Sequence, residues 1–378
     1  MAAHRILFVD HAPALGGAQV GLLLCCELIE RAQFVPHLAT QPGALAESAR
    51  ALGVTVHELP LVQLRGTLAG AAALRRGTAA VMRIVRAHDI ALVYSNTVRA
   101  SAYAALAARL TRRPLIWHVH DILRPGLYVR AMSALAAATI AVSQAAARVL
   151  PNRQRVRVIP QGVRQGEQID EHEHRQAAIR LRAAWGVPPQ APLVGQVARL
   201  QPWKGQRDVI AAAADLLRNV PAAHFVLVGG DIFDDAAAYE RELHTLIAQS
   251  GLRAQVHLVA HQADVAAVFA AIDVLVHASF EEPFGRVLIE AGAAGVPVVA
   301  YGGGGVREIL AHEHTALIVP PGDRAGLAAA LHRVLGDRAL ATRLGTAARS
   351  EVAARFDVRR LTRDVEDVLR RALPRARH

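Results

Sequence analysis

Lysine is nearly absent: Lys204 is the only one in 378 residues, against 42 arginines. Cysteine is scarce as well, and Cys25 and Cys26 are adjacent in a helical stretch. They offer no disulfide framework, which agrees with a reducing compartment. Aromatic residues make up 4% of the chain, which favours small, Ala-rich helices packed on sheets. The net charge is +11, yet zinc-finger spacing, an RNP-like aromatic motif and a helix-turn-helix signal are all missing, so no nucleic-acid partner is expected. G-x-G-x-x-G is missing too, which weakens a nicotinamide-binding reading. No period of 20 to 50 residues points to a solenoid. Arg5 and Asp10 interrupt what would be the apolar region of a secretory signal. The uncharged stretch Ala131 to Ala147 is broken by Ser, Thr and Gln and reads as a helix end, a strand over 139–142 and the next helix start. The expected location is cytoplasmic, with peripheral contact at the inner face of the membrane as an option.

What is present is alternation. Short apolar, β-branched runs at 5–10, 35–39, 54–58, 91–95, 115–118, 139–142 and 156–159 are separated by helical stretches. A second series occupies 193–198, 224–228, 255–259, 273–276, 296–300 and 316–319. Buried strands alternating with helices predict parallel sheets covered on both faces. The length suits about two domains. Residues 1–163 form the first domain in this reading. Residues 164–192, rich in Gln, Glu, His, Arg and Pro, form an interdomain connection with one helix in it. Residues 193–355 form the second domain, and 356–378 form a C-terminal helix returning toward the first. The fold class is α/β, two tandem doubly wound Rossmann-like domains facing a cleft.

The most informative stretch is 279–295, Ser-Phe-Glu-Glu-Pro-Phe-Gly-Arg-Val-Leu-Ile-Glu-Ala-Gly-Ala-Ala-Gly. It reads as the loop and helix following a parallel strand, where ligands of such sheets sit. The first N–H groups of that helix, around Phe284, Gly285, Arg286 and Val287, have no intrahelical partners and suit a phosphate. Glu282 and Glu290 are eight apart and can share one side of the helix. Carboxylates in that position can accept pairs of bonds from vicinal hydroxyls, as on a ribose and a hexose flanking a diphosphate. A solvated helix with a capping acid would show the same spacing. Earlier, Arg199 and Lys204 follow the first strand of the second domain, at a helix start. A compact ammonium kept where every other cationic residue is arginine suggests a specific need, and the two charges can neutralise a diphosphate. A plain surface pair is the alternative. In the first domain Gly16-Gly17 at a strand-to-helix turn permits close backbone approach to a ligand. His118 and His120 lie on one side of a strand, and either could serve a site, with Asp121 placed to orient His120, or remain structural.

These motifs in combination, over nearly the whole chain, resemble retaining nucleotide-sugar glycosyltransferases with the GT-B fold, of the family-4 type (glycosyl transferases group 1). The resemblance rests on Arg199 with Lys204, on Glu282-Pro283-Phe284-Gly285 through Glu290, and on 302–308 followed by 315–323. It extends to Gly16-Gly17-Ala18-Gln19, His118-Val119-His120-Asp121, Ala141-Val142-Ser143 and 159–163. Gln161 stands where many relatives carry Asn, and Ala316 where Gly is common.

The resemblance implies a role for each position. Arg199 and Lys204 would hold the diphosphate and stabilise the departing nucleotide. Glu290 would bind ribose hydroxyls and Glu282 the transferred sugar. The backbone from Phe284 to Val287 would complete the cradle, Gly16 and Gly17 would face the diphosphate or the acceptor, and His120 would lie near the sugar. Retention would follow same-face attack, because no carboxylate is placed as a nucleophile. The implied partners are a nucleotide diphosphate sugar and a glycan, lipid-linked or small acceptor. No cofactor is implied, and no metal is required. The clusters Glu171-His172-Glu173-His174 and His312-Glu313-His314 are read as solvated. Residues 1–170 carry 19 arginines against 9 acidic residues. Arg65, Arg75, Arg76, Arg83, Arg86, Arg124 and Arg130 give this half a basic face for an anionic membrane, or simply an Arg-rich surface. A nucleotide-sugar 2-epimerase on the same fold and a non-catalytic sugar-nucleotide-binding subunit are the competing functions.

Overall fold

The apolar runs become strands at thirteen places in the computed structural model, which describes residues 3–62, 68–164, 171–230 and 236–374. Seven form one sheet: β1 (His4–Val9), β2 (Phe34–Thr40), β3 (Thr55–Glu58), β4 (Leu92–Ser95), β5 (Leu115–Val119), β6 (Ala138–Ala141) and β7 (Val156–Val158). Their order is β3-β2-β1-β4-β5-β6-β7, with every pair parallel. Six form a second: β8 (Leu193–Val197), β9 (His224–Val228), β10 (Val256–Val259), β11 (Val274–His277), β12 (Val298–Tyr301) and β13 (Leu317–Val319), in the order β10-β9-β8-β11-β12-β13. Central strands are apolar on both faces; Ile6, Leu7, Phe8 and Val9 of β1 are all fully buried. That burial is what helices on both sides of a parallel sheet produce. The fold is thus two doubly wound Rossmann-like domains.

Each sheet reverses its winding once, between β1 and β4 in the first and between β8 and β11 in the second. At such a switch point the two connections leave in opposite directions and open a crevice beyond the strand ends.

The chain divides into one unit of residues 1–162 with 358–378 and another of 163–357. The last helix, Val358–Ala372, places Leu361, Val365, Val368 and Leu369 in the same core as Ile6 and Phe8 of β1 and Leu22. Glu366, 4% exposed, accepts from the Glu30 backbone N–H at 2.7 Å and from Arg370 at 3.0 Å. Residues 171–184 form the one helix expected within the stretch 164–192, and it belongs to the second unit. The reason lies in Arg182, which donates to the Ala271 carbonyl at 2.7 Å and to Asp273 at 2.9 Å, tying this helix to the end of the helix Val265–Ala271. No helix among the described residues is long and apolar enough to cross a membrane.

Candidate functional site

In the second unit the ends of β8 and β11 are laced together by hydrogen bonds. After β8 the chain passes Arg199 and makes a 3-10 turn, Pro202–Lys204. Gln206 donates to the Arg199 carbonyl and Gln196 to the Lys204 carbonyl, both at 2.8 Å. The Phe280 N–H donates to the Trp203 carbonyl at 2.9 Å. Gly205 ends the turn at φ +74°, and a Cβ there would stand 2.1 Å from the Ala278 carbonyl oxygen. Only glycine satisfies both the left-handed backbone and this contact.

Lys204 is thereby delivered to Glu282. Its Nζ lies 2.6 Å from Glu282 Oε2, and His277 Nε2 lies 3.1 Å from the same oxygen. All three side chains are largely buried, and the ammonium also lies 4.0 Å from the centre of the Trp203 ring. Burial pulls the Lys204 pKa down, the negative Glu282 opposes this, and Arg199 adds to the lowering. For Glu282, burial acts upward, but Lys204 and His277 together outweigh it and hold the carboxyl well below the usual carboxylate range. The Gly302–Gly305 loop closes over this group. The Gly305 N–H donates to the Glu282 carbonyl at 2.7 Å, and Gly304, at φ +61°, would put a Cβ 2.1 Å from that oxygen.

The helix Arg286–Ala294 starts next to this group from Gly285, at φ +97°. Arg286 Nε and Glu290 Oε1 are 2.7 Å apart across one turn, and burial raises the Glu290 pKa against the pull of Arg286. Phe284 turns its ring into the core, edge-on to Phe356 at 6.0 Å, so only its backbone can take part in a site. Val287 is half-buried. The structure therefore brings Lys204, Glu282 and the added residue His277 into one cluster, with Arg199 beside it and Arg286 and Glu290 on the helix that follows.

In the first unit the switch point is built on Asp10, fully buried just after β1. It accepts from the Ala12 N–H at 2.8 Å, from Gln19 at 3.0 Å and from Asn96, beyond β4, at 2.7 Å. Burial nonetheless raises its pKa. Gln19 also accepts from the Gly16 N–H at 3.2 Å, fixing the glycine turn where the helix Gly17–Leu28 begins. On the other side, Asn96 Oδ1 lies 3.0 Å from His120 Nε2, and Gln161 Nε2 lies 3.3 Å from His120 Nδ1. Asn96 uses its amide on Asp10, so its oxygen accepts, and the His120 proton sits on Nε2. Burial pushes the His120 pKa down to about 3.

The expected alternation holds, since the His118 and His120 rings lie 3.9 Å apart. Asn96 and Gln161 hold the His120 ring, and the side chain of Asp121, the residue expected to orient it, is exposed. His118 bonds the Tyr94 hydroxyl at 2.7 Å and borders a cavity of about 50 Å³.

Of the two acidic and histidine clusters, His172 and Glu173 are exposed, while the side chains of Glu171 and His174 lie outside the described residues. His312 Nδ1 accepts from the Ile318 N–H at 2.9 Å, and Glu313 pairs with Arg333. Arg75, Arg76, Arg83 and Arg86 are exposed along the helix Leu68–Ala87, as are Arg124 and Arg130. Arg65 lies outside the described residues.

Sequence reasoning missed His277, Asn96, Asp10 and Gln19. The available signal was the place of His277, Asn96 and Asp10 at strand ends flanking the two switch points, and that of Gln19 in the first turn of the helix Gly17–Leu28.

Residues 178–351 match the family of glycosyl transferases group 1, and residues 15–165 match glycosyltransferase family 4. The second unit belongs to the group 1 glycosyltransferases. The chain is 34% identical, over 53% of its length, to the D-inositol 3-phosphate glycosyltransferase of Nocardia farcinica, and the match spans 44% of that relative. It is 35% identical, over 46% of its length, to the glycogen synthase of Mycobacterium tuberculosis, spanning 42% of that protein. The chain thus spans less than half the length of these curated relatives. A crystal structure of Anabaena Alr3699/HepE in complex with UDP and glucose superposes over 97% of this chain and 99% of its own, with a TM-score of 0.82 and 28% identity. The same protein in complex with UDP-glucose gives a TM-score of 0.82 at 27% identity.

Proposed function

We propose that this protein transfers a hexose-like unit from a nucleotide diphosphate sugar to a glycan, lipid-linked or small acceptor, with retention at the anomeric carbon. The observation that carries the reading is the buried Lys204–Glu282–His277 group at the β8/β11 switch point, next to the start of the helix Arg286–Ala294. The HepE complexes with UDP and UDP-glucose favour a uridine diphosphate sugar as donor.

Lys204 has three N–H donors, and Glu282 takes one. The others, with Arg199 and the backbone of Gly285 to Val287, receive the diphosphate, and no metal is needed for its charge. As the bond from the anomeric carbon to the phosphate oxygen breaks, negative charge grows on that oxygen, and donors fixed in advance stabilise it without reorganising. Glu290 takes the ribose hydroxyls. Glu282, committed through Oε2 to Lys204 and His277, first positions the ammonium and meets the sugar only from its remaining edge. The acceptor hydroxyl attacks on the face the phosphate leaves and gives its proton to the departing phosphate oxygen. His120, neutral and held by Asn96 and Gln161, is the histidine we assign to the sugar, and Gly16 and Gly17 line the separate turn after β1. The exposed arginines of the first unit suit a phosphate-bearing acceptor or an anionic membrane surface.

The test is transfer from UDP-glucose to an acceptor panel, with the product anomer read by NMR. An α-linked product from the α-donor, lost in Lys204→Ala, supports the reading. A β-linked product, or an epimerised nucleotide sugar formed without acceptor, refutes it.

A further inference from the structure

Three histidines far apart in sequence meet at the edge of the first sheet. His37 lies on β2, His57 on the edge strand β3, and His88 just past the helix Leu68–Ala87. His37 Nδ1 and His57 Nε2 are 3.1 Å apart, with the rings stacked at an interplanar angle of 5°. The His88 ring centre lies 4.6 Å from that of His57 and 5.3 Å from that of His37. One nitrogen from each ring falls within 4.8 Å of the other two, the one such group of potential metal ligands among the described residues.

The second sheet supplies an internal comparison. His57 is in register with Ala39, two residues beyond His37, and His257 is in register with Val226, two residues beyond His224. His224 and His257 stack at the same 5° with the same 3.1 Å contact between ring nitrogens. A stacked histidine pair on neighbouring strands is therefore a packing solution that both sheets reach alone. The third imidazole is not part of that solution. It is brought in by a separate element, whose last turn is fixed by His88 N–H donating to the Ile84 carbonyl at 3.0 Å, by Asp89 at φ +43° and by Arg5 donating to the His88 carbonyl at 3.4 Å.

We infer that His37, His57 and His88 form a binding site for one borderline divalent cation of the zinc type. Imidazole nitrogens are preferred ligands of such ions, at about 2.0–2.1 Å, which places the ligating atoms roughly 3.3 Å apart in a tetrahedron. The His37–His57 contact already has that spacing, and half-buried His88 closes the remainder by side-chain rotation. The metal replaces the hydrogen shared by His37 and His57, and the ring that carried it moves that proton to its other nitrogen through solvent, so both rings ligate as neutral imidazoles. No carboxylate belongs to the group, so a water molecule completes the shell. The ion would staple the edge strand β3 and the end of the helix Leu68–Ala87 to β2, restraining an edge that has no strand beyond it among the described residues. None of these residues is used in the transfer reaction proposed above.

The experiment takes the full chain, stripped with a chelator and dialysed, and titrates it with zinc chloride by calorimetry while following thermal unfolding. The expected result is one saturable site and a higher melting temperature, because the ion binds the folded state alone. His88→Ala and His57→Gln should each weaken binding at least ~10-fold and remove the thermal shift, with His257→Ala and His172→Gln leaving both intact. The site is overturned if binding does not saturate, if it survives both His88→Ala and His57→Gln, or if His172→Gln abolishes it. His88 lies in a turn outside the sheet, so its variant decides the matter even if His57→Gln fails to fold.

Discussion

Lys204 and His277 share a single oxygen of Glu282, at 2.6 and 3.1 Å. Within a buried group of this kind the carboxylate aims the ammonium. Removing one partner leaves the other charged and poorly solvated. Lys204→Met should therefore cost about 3–5 kcal/mol of stability, in the range seen when one side of a buried pair is deleted. Lys204→Met with Glu282→Gln should be more stable than Lys204→Met alone, since the stranded charge is gone. Urea unfolding of the two variants checks this. Equal midpoints would mean that the pair contributes no coupling.

Acid should weaken the same contact with a defined sign. The Glu282 pKa is held below its unfolded value by Lys204 and His277 despite burial. Its contribution is complete above the unfolded carboxylate pKa and is lost as pH falls toward the folded value. Glu282→Gln should flatten the stability profile below about pH 4.5, the ordinary value of the group, and leave its slope near neutrality unchanged. Chemical unfolding across pH 3 to 7 reads both limbs.

His120 acts in the same direction at higher pH. Its folded pKa of about 3 lies below its model-compound value of 6.5, so the unfolded chain takes up a proton first as pH falls from 6.5. His120→Gln should remove that uptake and make the profile shallower between pH 6.5 and 3. Proton uptake on unfolding at pH 5, about one proton smaller in the variant, is the direct measurement.

Gly304 is needed for its lack of a side chain. Its φ of +61° and the 2.1 Å approach of the Glu282 carbonyl mean that Gly304→Ala adds backbone strain and overpacking together. The cost should be roughly 2–5 kcal/mol. Because the displaced backbone belongs to Glu282, donor affinity should fall along with stability. Gly53→Ala, at φ +71° with nothing within 4 Å of the added methyl, is the control for strain without contact.

The strands were legible because parallel, doubly covered sheets demand unbroken apolar runs, and Val274-Leu275-Val276 or Ile6-Leu7-Phe8-Val9 leave little other choice. Lys204 stood out by rarity, and Glu282 and Glu290 by a spacing read as helical, although the helix begins only at Arg286 and leaves Glu282 in the loop before it. Hydrogen-bond partners were not legible. His277 looked like the end of a strand, and nothing local marks Asn96 as the link between Asp10 and His120, because β4 reaches β1 only through a crossover. The three histidines at 37, 57 and 88 have no sequence spacing at all, since strand register and a helix end bring them together. In the segment 164–192 the helix was legible but its attachment was not, for a related reason. Its polar composition resembles a connection, while Arg182 buries its guanidinium on Ala271 and Asp273, residues about ninety positions away.

Binding of UDP to the wild-type chain, Lys204→Ala and Glu290→Gln, titrated by calorimetry with folding verified by circular dichroism, tests most directly whether the Lys204 ammonium grips a nucleotide diphosphate. The expected result is saturable binding by the wild type, weakened at least ~10-fold in Lys204→Ala, with Glu290→Gln weakened less and equally toward uridine itself. Undiminished affinity for UDP in folded Lys204→Ala would contradict it.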